Sequence, residues 1–148
     1  MSDAPIVLRA IEPKGSDLEA EHDLRYRVLR EPLGMGRETV AFAFESDCWH
    51  LIAERRGVIV GCVLFHPDEP TGGRLLQMAV DATLQGQGVG RLLVQALEAR
   101  VRAAGFLTIH LHARDTAIGF YERLGYTVEG DPYTEVGLPH HHMRKRWE

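Results

Sequence analysis

A chain of 148 residues, 45% hydrophobic and 26% charged, has the composition of an ordinary globular domain and the length for one sizeable core, which excludes fibrous and low-complexity classes. A formal net charge of −4 argues against nucleic acid as the main partner, because polyanion binders carry a basic surplus, and the closing RKRW is too short to reverse the balance. The two cysteines, Cys48 and Cys62, are expected as free thiols in a reducing cytoplasm; the start MSDAPIVLRA lacks a signal-type apolar region, and the longest apolar run, VIVGCVLF, is too short for a bilayer.

PIVLRAI (5–11) reads as a first strand. SDLEAEHDLRYRVLRE (16–31) reads as a helix, with Ser16 as N-cap, Glu19 completing a capping box and Pro32 as its stop. Residues 32–47 have no clear periodicity and are expected to be loop. WHLIAER (49–55) and VIVGCVLFH (58–66) flank Arg56-Gly57 as a hairpin, and after the turn-forming DEPTGG, RLLQMAV (74–80) is a further strand.

Past QGQGVG (85–90), Val89, Leu92, Leu93, Ala96, Leu97 and Val101 recur at helical spacing up to Gly105. LTIHLHA (107–113) looks like a strand. Asp115 is placed to cap a short helix, TAIGFYERLG, with Ala117, Phe120, Tyr121 and Leu124 on its apolar face, and YTVEG (126–130) and HHHMRKRW (140–147) close the chain as strands. The order is β-α-β-β-β-α-β-α-β-β, an α/β domain.

The glycine loop feeds directly into the longest helix. The first turn of a helix has N–H groups without intrahelical partners and a partial positive charge, so this junction suits a phosphate. Gly86, Gly88 and Gly90 are spaced G-x-G-x-G, which is not the dinucleotide fingerprint, and no nucleoside-triphosphate loop is present. What remains is Q-x-x-G-x-G, formed by Gln85, Gly88 and Gly90. By itself such a loop can also be a plain tight turn.

MAVDATLQGQGVGRLLV (78–94), followed later by AIGFYERLGY (117–126), resembles the GNAT superfamily of acyl-CoA-dependent N-acetyltransferases, over about residues 75–130. The resemblance implies one N-acetyltransferase domain over 1–148, with a mixed, mainly antiparallel central sheet flanked by helices. It implies acetyl-CoA as acyl donor. The amides within Gln85, Gly86, Gln87, Gly88, Val89, Gly90 and Arg91 would hold the coenzyme A pyrophosphate, and Met78, Ala79 and Val80 would bond the pantetheine arm like an added strand, Val80 supplying an N–H to the thioester carbonyl. Tyr121 would return a proton to the departing thiolate. Arg114 stands where family members often carry asparagine. Neither cysteine is assigned as nucleophile, since direct transfer needs no covalent enzyme intermediate.

His110 and His112 share one face of a strand, as do His140 and His142. In a GNAT-like sheet the fifth and seventh strands are neighbours, so the pairs would meet near the acceptor end, where a histidine can relay the amine proton. The segments LHAR and EVGLPHHHMRK further resemble a bacterial subset whose members end in a similar G-[IL]-P-H-x-x-M stretch, which singles out His112 and His140. Exposed or core-satisfied histidines are the plainer alternative. Zinc is another, but no paired Cys/His spacing supports it and no metal is expected.

Acceptor recognition is expected from Arg25, Arg30, Arg37, Glu38 and Glu45, a carboxylate such as Glu45 for a cationic amine or the arginines for an acidic one. The expected partner is a small-molecule amine, with no nucleic acid or membrane; a homodimer is compatible. The expected activity is cytoplasmic N-acetyl transfer from acetyl-CoA to a primary amine in a ternary complex. The alternative is an acyl-CoA-binding sensor module without turnover.

Overall fold

The computed structural model describes residues 4–148. Seven strands form one sheet in the order β1-β2-β3-β4-β5-β7-β6, with β1 Val7–Ile11, β2 Trp49–Arg55, β3 Val58–Glu69, β4 Gly72–Val80, β5 Thr108–Arg114, β6 Thr127–Glu135 and β7 Leu138–Arg146. Every neighbouring pair is antiparallel except β4 and β5. The expected mixed, mainly antiparallel α/β sheet is therefore what forms.

β3 explains the unbroken apolar run in its sequence. Val63 and Phe65 belong to the core under α2 (Val89–Ala103), while Cys62 packs with Leu24 on the face covered by α1 (Gly15–Arg25), so both faces of the strand are buried. Leu93, Val94, Leu97 and Val101 form the inward stripe of α2 and are fully buried, each contributing roughly 1.5–3 kcal/mol of apolar burial. No described helix is long and apolar enough to cross a membrane.

The first helix departs from expectation at both ends. Its N-cap is Lys14, in extended backbone and without a side-chain cap bond, so Ser16 and Glu19 form no capping box; Gly15, at φ 70°, admits the chain one residue earlier. Pro32 does not stop it either. The helix widens into a π turn at Tyr26–Arg30 and tightens into a 3₁₀ turn at Glu31–Leu33, where Pro32 sits in the first turn and loses no needed N–H, and Gly34 ends it at φ 72°. Asp115 likewise caps nothing with its side chain; it opens a 3₁₀ turn, Asp115–Ala117, ahead of α3 (Ile118–Arg123).

The last two strands are longer than expected. β6 runs through Gly130 and Pro132 by an irregularity between Glu129 and Tyr133, and it turns into β7 at Val136 and Gly137. At the middle of the sheet, Gly72 and Gly73 are required by crowding, since a Cβ on Gly72 would lie 2.3 Å from the Thr108 side chain and one on Gly73 2.3 Å from the His66 carbonyl.

Candidate active site

The parallel ladder between β4 and β5 is short. Gly72, Gly73 and Arg74 pair with Thr108, Ile109 and His110, and beyond them the two strands run on to Val80 and Arg114 without pairing with each other. A bulge sharpens the divergence. The β3–β4 register slips between Cys62 and Leu64, and Gln77 adopts φ 54°, a left-handed backbone costing a non-glycine residue roughly 1–2 kcal/mol. Its surroundings hold it there: Arg30 Nη2 donates to Gln77 Oε1 at 3.2 Å, and Cys62 Sγ to its carbonyl at 3.3 Å. Strain maintained by such contacts is typical of a functional position.

At the end of β4, Asp81 folds the chain over. Its carboxylate accepts from Thr83 N at 3.0 Å and Thr83 Oγ1 at 2.8 Å, and Gln85 Nε2 donates to the Val80 carbonyl at 3.1 Å, tying the loop to the strand. Gly86 and Gly88 have φ of 82° and 85°, with open space where a Cβ would stand, so the requirement at both is backbone angle. Gly90 lies in the first turn of α2, where a Cβ would come within 3.4 Å of Phe120. The first helical bond runs from Leu92 N to the Gly88 carbonyl, which leaves the preceding N–H groups of the turn for a ligand. A cavity of about 380 Å³ is lined here by Met78, Ala79, Val80, Gln85, Gly86, Gly88, Val89, Gly90, Arg91 and Phe120. Gln87 is outside this lining; it is exposed and bonds back to the Thr83 carbonyl.

Met78, Gln85 and Phe120 also line a second, adjoining cleft of about 540 Å³ in the divergence of β4 and β5, together with Arg30, Arg74, Gln77, His112, Arg114, Tyr121 and Glu135. Tyr121 packs edge-on against Phe120 and Tyr126, and burial raises its phenol well above the ordinary range, so it keeps its proton. Its hydroxyl has no hydrogen-bond partner among the described residues.

Among the histidines, the strand pairing sets His112 opposite His142, with ring centroids 4.6 Å apart, and His140 opposite Arg114. His112 Nδ1 lies 3.2 Å from Glu135 Oε1, and His140 Nε2 lies 3.5 Å from Glu135 Oε2, so one carboxylate joins the two singled-out histidines. Tyr133 stacks on His142 at 4.4 Å. His112 lines the cleft and His140, buried, does not. Burial and then the Arg74 charge lower His112 from its ordinary range, against the pull of Glu135, which keeps the ring neutral near pH 7. His110 is turned to other work, 3.0 Å from Asp68.

Two residues expected to contact the acceptor are elsewhere. Arg25 is fully buried and donates from Nη1 to Glu21 and Glu45 and from Nη2 to the Val40 carbonyl at 2.6 Å. Glu45 is buried as well, also meets His22 at 2.9 Å, and is held below the usual carboxylate range by Arg25 and His22 despite burial. Glu21 in turn bonds His50 Nδ1 at 2.8 Å. This network fastens α1 and the 32–47 segment to β2, so Glu45 is a structural anchor. Arg37 is exposed and paired with Asp23. Arg30 alone of the expected set lines the cleft, while Arg74, Gln77 and Glu135 were not anticipated.

Residues 34–147 match the family model for the acetyltransferase (GNAT) domain. A Bacillus subtilis (strain 168) protein that carries an acetyltransferase name is 30% identical over 133 residues, spanning 88% of this chain and 90% of its own. A Lactobacillus plantarum protein that carries an N-acetyltransferase name superposes with a TM-score of 0.88 at 24% identity, covering 99% of this chain and 100% of the other. An aminoglycoside 6'-N-acetyltransferase complexed with coenzyme A superposes with a TM-score of 0.78 at 20% identity, over 95% and 96% of the two chains. With a family model covering most of its length and a relative of this identity over nearly all of it, the chain belongs to the GNAT family of acetyltransferases.

Proposed function

We propose that this acetyltransferase moves the acetyl group of acetyl-CoA to a primary amine of a small molecule, by direct attack in a ternary complex. The observation that carries the reading is the gap between β4 and β5, which runs from the glycine-loop cavity to a cleft holding Tyr121 and His112. Acetyl-CoA supplies an activated thioester. The amides within Gln85 to Arg91 receive its pyrophosphate, and the unpaired edge at Met78, Ala79 and Val80 takes the pantetheine amides as a strand would.

An ammonium must lose a proton before it attacks. His112, with Nδ1 turned to Glu135, keeps the Nε2 lone pair free for that proton, and His140 steadies the same carboxylate from its other oxygen. The Val80 N–H donates to the carbonyl oxygen as it gains charge, and Tyr121 returns a proton to sulfur as the C–S bond breaks. Neither thiol takes part. Both are buried, and burial pushes Cys48 up to about 11 and Cys62 well above its usual range, so neither is a thiolate near pH 7. We place the chain, on its G-L-P-H-H-H-M segment, in the bacterial subset with that ending.

Thiol release from acetyl-CoA, followed over a panel of amines, tests the proposal. Tyr121→Phe keeps the ring and its packing, so kcat should fall roughly 10- to 100-fold, the low end for general acid catalysis because a thiolate leaves readily, with acetyl-CoA affinity within a few-fold. Turnover at the parent rate from acidic to neutral pH would make Tyr121 a packing residue. Firm acetyl-CoA binding with no thiol release for any amine would favour the sensor reading.

A further inference from the structure

The arginines of this chain are treated differently in the cleft from elsewhere. Of those that are buried or half-buried, Arg9 meets Asp17 and Glu54, Arg25 meets Glu21 and Glu45, and Arg144 meets Glu69 and Glu129. Arg55 on β2 donates to the Ala4 carbonyl. The remaining two, Arg30 and Arg74, both line the cleft, and neither meets a carboxylate.

Arg30 has only neutral acceptors, Gln77 Oε1 at 3.2 Å and the Thr39 carbonyl at 3.4 Å. The Arg74 guanidinium has no hydrogen bond or ion pair with any described residue, and its Nε is buried without a partner. Arg114 adds a third guanidinium at the exposed rim, also without a carboxylate. The one acid in the lining, Glu135, is occupied by His112 and His140. In a chain of net charge −4, this leaves a local surplus of positive charge facing Tyr121 and His112.

Partly desolvated guanidinium groups without a counter-ion are costly, and an anion that offers two oxygens to the guanidinium fork relieves that cost best. We propose that the acceptor is an amine that also carries an anionic group, a carboxylate or a phosphate, which Arg74 and Arg30 hold in this cleft while its amine faces His112. The inference rests on the acetyl-transfer reading and names its substrate class. The same charges act against polycationic amines, whose second ammonium would meet the Arg74 and Arg30 guanidiniums, with Glu135 already bonded to His112 and His140. The coenzyme A phosphates are not the expected occupant, since the glycine-loop cavity with Arg91 is assigned to them.

The test uses matched acceptors: glutamate against glutamine, phosphoethanolamine against ethanolamine, and spermidine as polycation. At least one anionic member should exceed its neutral partner by about tenfold or more in kcat/KM, and the pair that does so separates carboxylate from phosphate. Compared on the alkaline plateau, where His112 is neutral in both proteins, Arg74→Gln should raise KM for that member about tenfold or more, change its neutral partner by no more than a few-fold, and leave coenzyme A affinity unchanged. Preference for neutral members or spermidine, or a preference that survives in both Arg74→Gln and Arg30→Gln, would overturn the proposal.

If no amine is turned over, calorimetry of glutarate and of inorganic phosphate against the coenzyme A complex gives a separate answer. Binding of either by the parent and its loss in folded Arg74→Gln would support the anion site while the acetyl-transfer reading failed. No binding of either by the parent would overturn the site.

Discussion

Replacing Arg25 with methionine probes the buried network most directly, because methionine occupies much the same channel without charge. In the parent, Arg25 pairs with both Glu21 and Glu45 while fully buried. Its removal leaves Glu21 with His50 and Glu45 with His22, one cation short. Breaking a buried ion pair from one side costs about 3–5 kcal/mol, a large part of the roughly 5–15 kcal/mol that holds a domain of this size. At about 2–4 °C per kcal/mol for such a domain, thermal unfolding near neutral pH should move down by roughly 6–20 °C.

The pH dependence carries the sharper sign. Glu45 sits below its ordinary 4.5 in the parent, so it adds stability above that value, and this is lost as pH falls through its lower folded value. Without Arg25 the buried carboxylate would titrate above 4.5, and its penalty would then be relieved as pH falls. The gap in melting temperature should therefore narrow from pH 7 to pH 4, read by circular dichroism or calorimetry. A loss under about 1 kcal/mol, or a gap that widens in acid, would refute a charge-balanced network as the anchor of this region.

Gly88→Val should weaken coenzyme A binding about tenfold or more, near 1.4 kcal/mol, because valine resists the φ of 85° that the loop needs; calorimetry on the folded variant reads it, and unchanged affinity would count against phosphate binding there. Glu135→Gln removes the carboxylate that pulls His112 upward, so the acid limb of the kcat/KM profile should move to lower pH, and an unmoved limb would take His112 out of the proton path.

The parts legible in the sequence are those whose chemistry needs particular residues at short range. Gly86 and Gly88 must have left-handed backbone next to a helix start, and that requirement is written locally. Period-two alternation puts the histidines on shared faces, but the meeting of β5 with β7 is what the family resemblance implies, and the ring contact falls between His112 and His142. Glu135 was hidden because Gly130 and Pro132 read as strand breakers, whereas an irregularity after Glu129 carries β6 past them. Glu45 was misread because a carboxylate in an aperiodic segment is usually solvated, and only tertiary packing encloses it with Arg25. Gln77 has no local signal for a left-handed conformation; Arg30 and Cys62 impose it from distant segments.

The short parallel ladder also has a mechanical consequence. Three residue pairs at Gly72–Arg74 and Thr108–His110 are all the strand pairing between a four-stranded half, β1 to β4, and a three-stranded half, β5 to β7, and the ion pairs His110–Asp68 and Arg144–Glu69 cross at the same end. From Arg74 to Val80 the β5-facing edge of β4, still paired with β3 on its other side, extends roughly 20 Å, so a rotation of the two halves by about 3° at the seam displaces its tip by roughly 1 Å. A misplacement of about that size can cost as much as 10²-fold in rate. Gly72 and Gly73, which contact neither cleft, thus act as the fulcrum of a pair of tongs: a methyl group added at either would set the gape at the far end, where the reaction takes place.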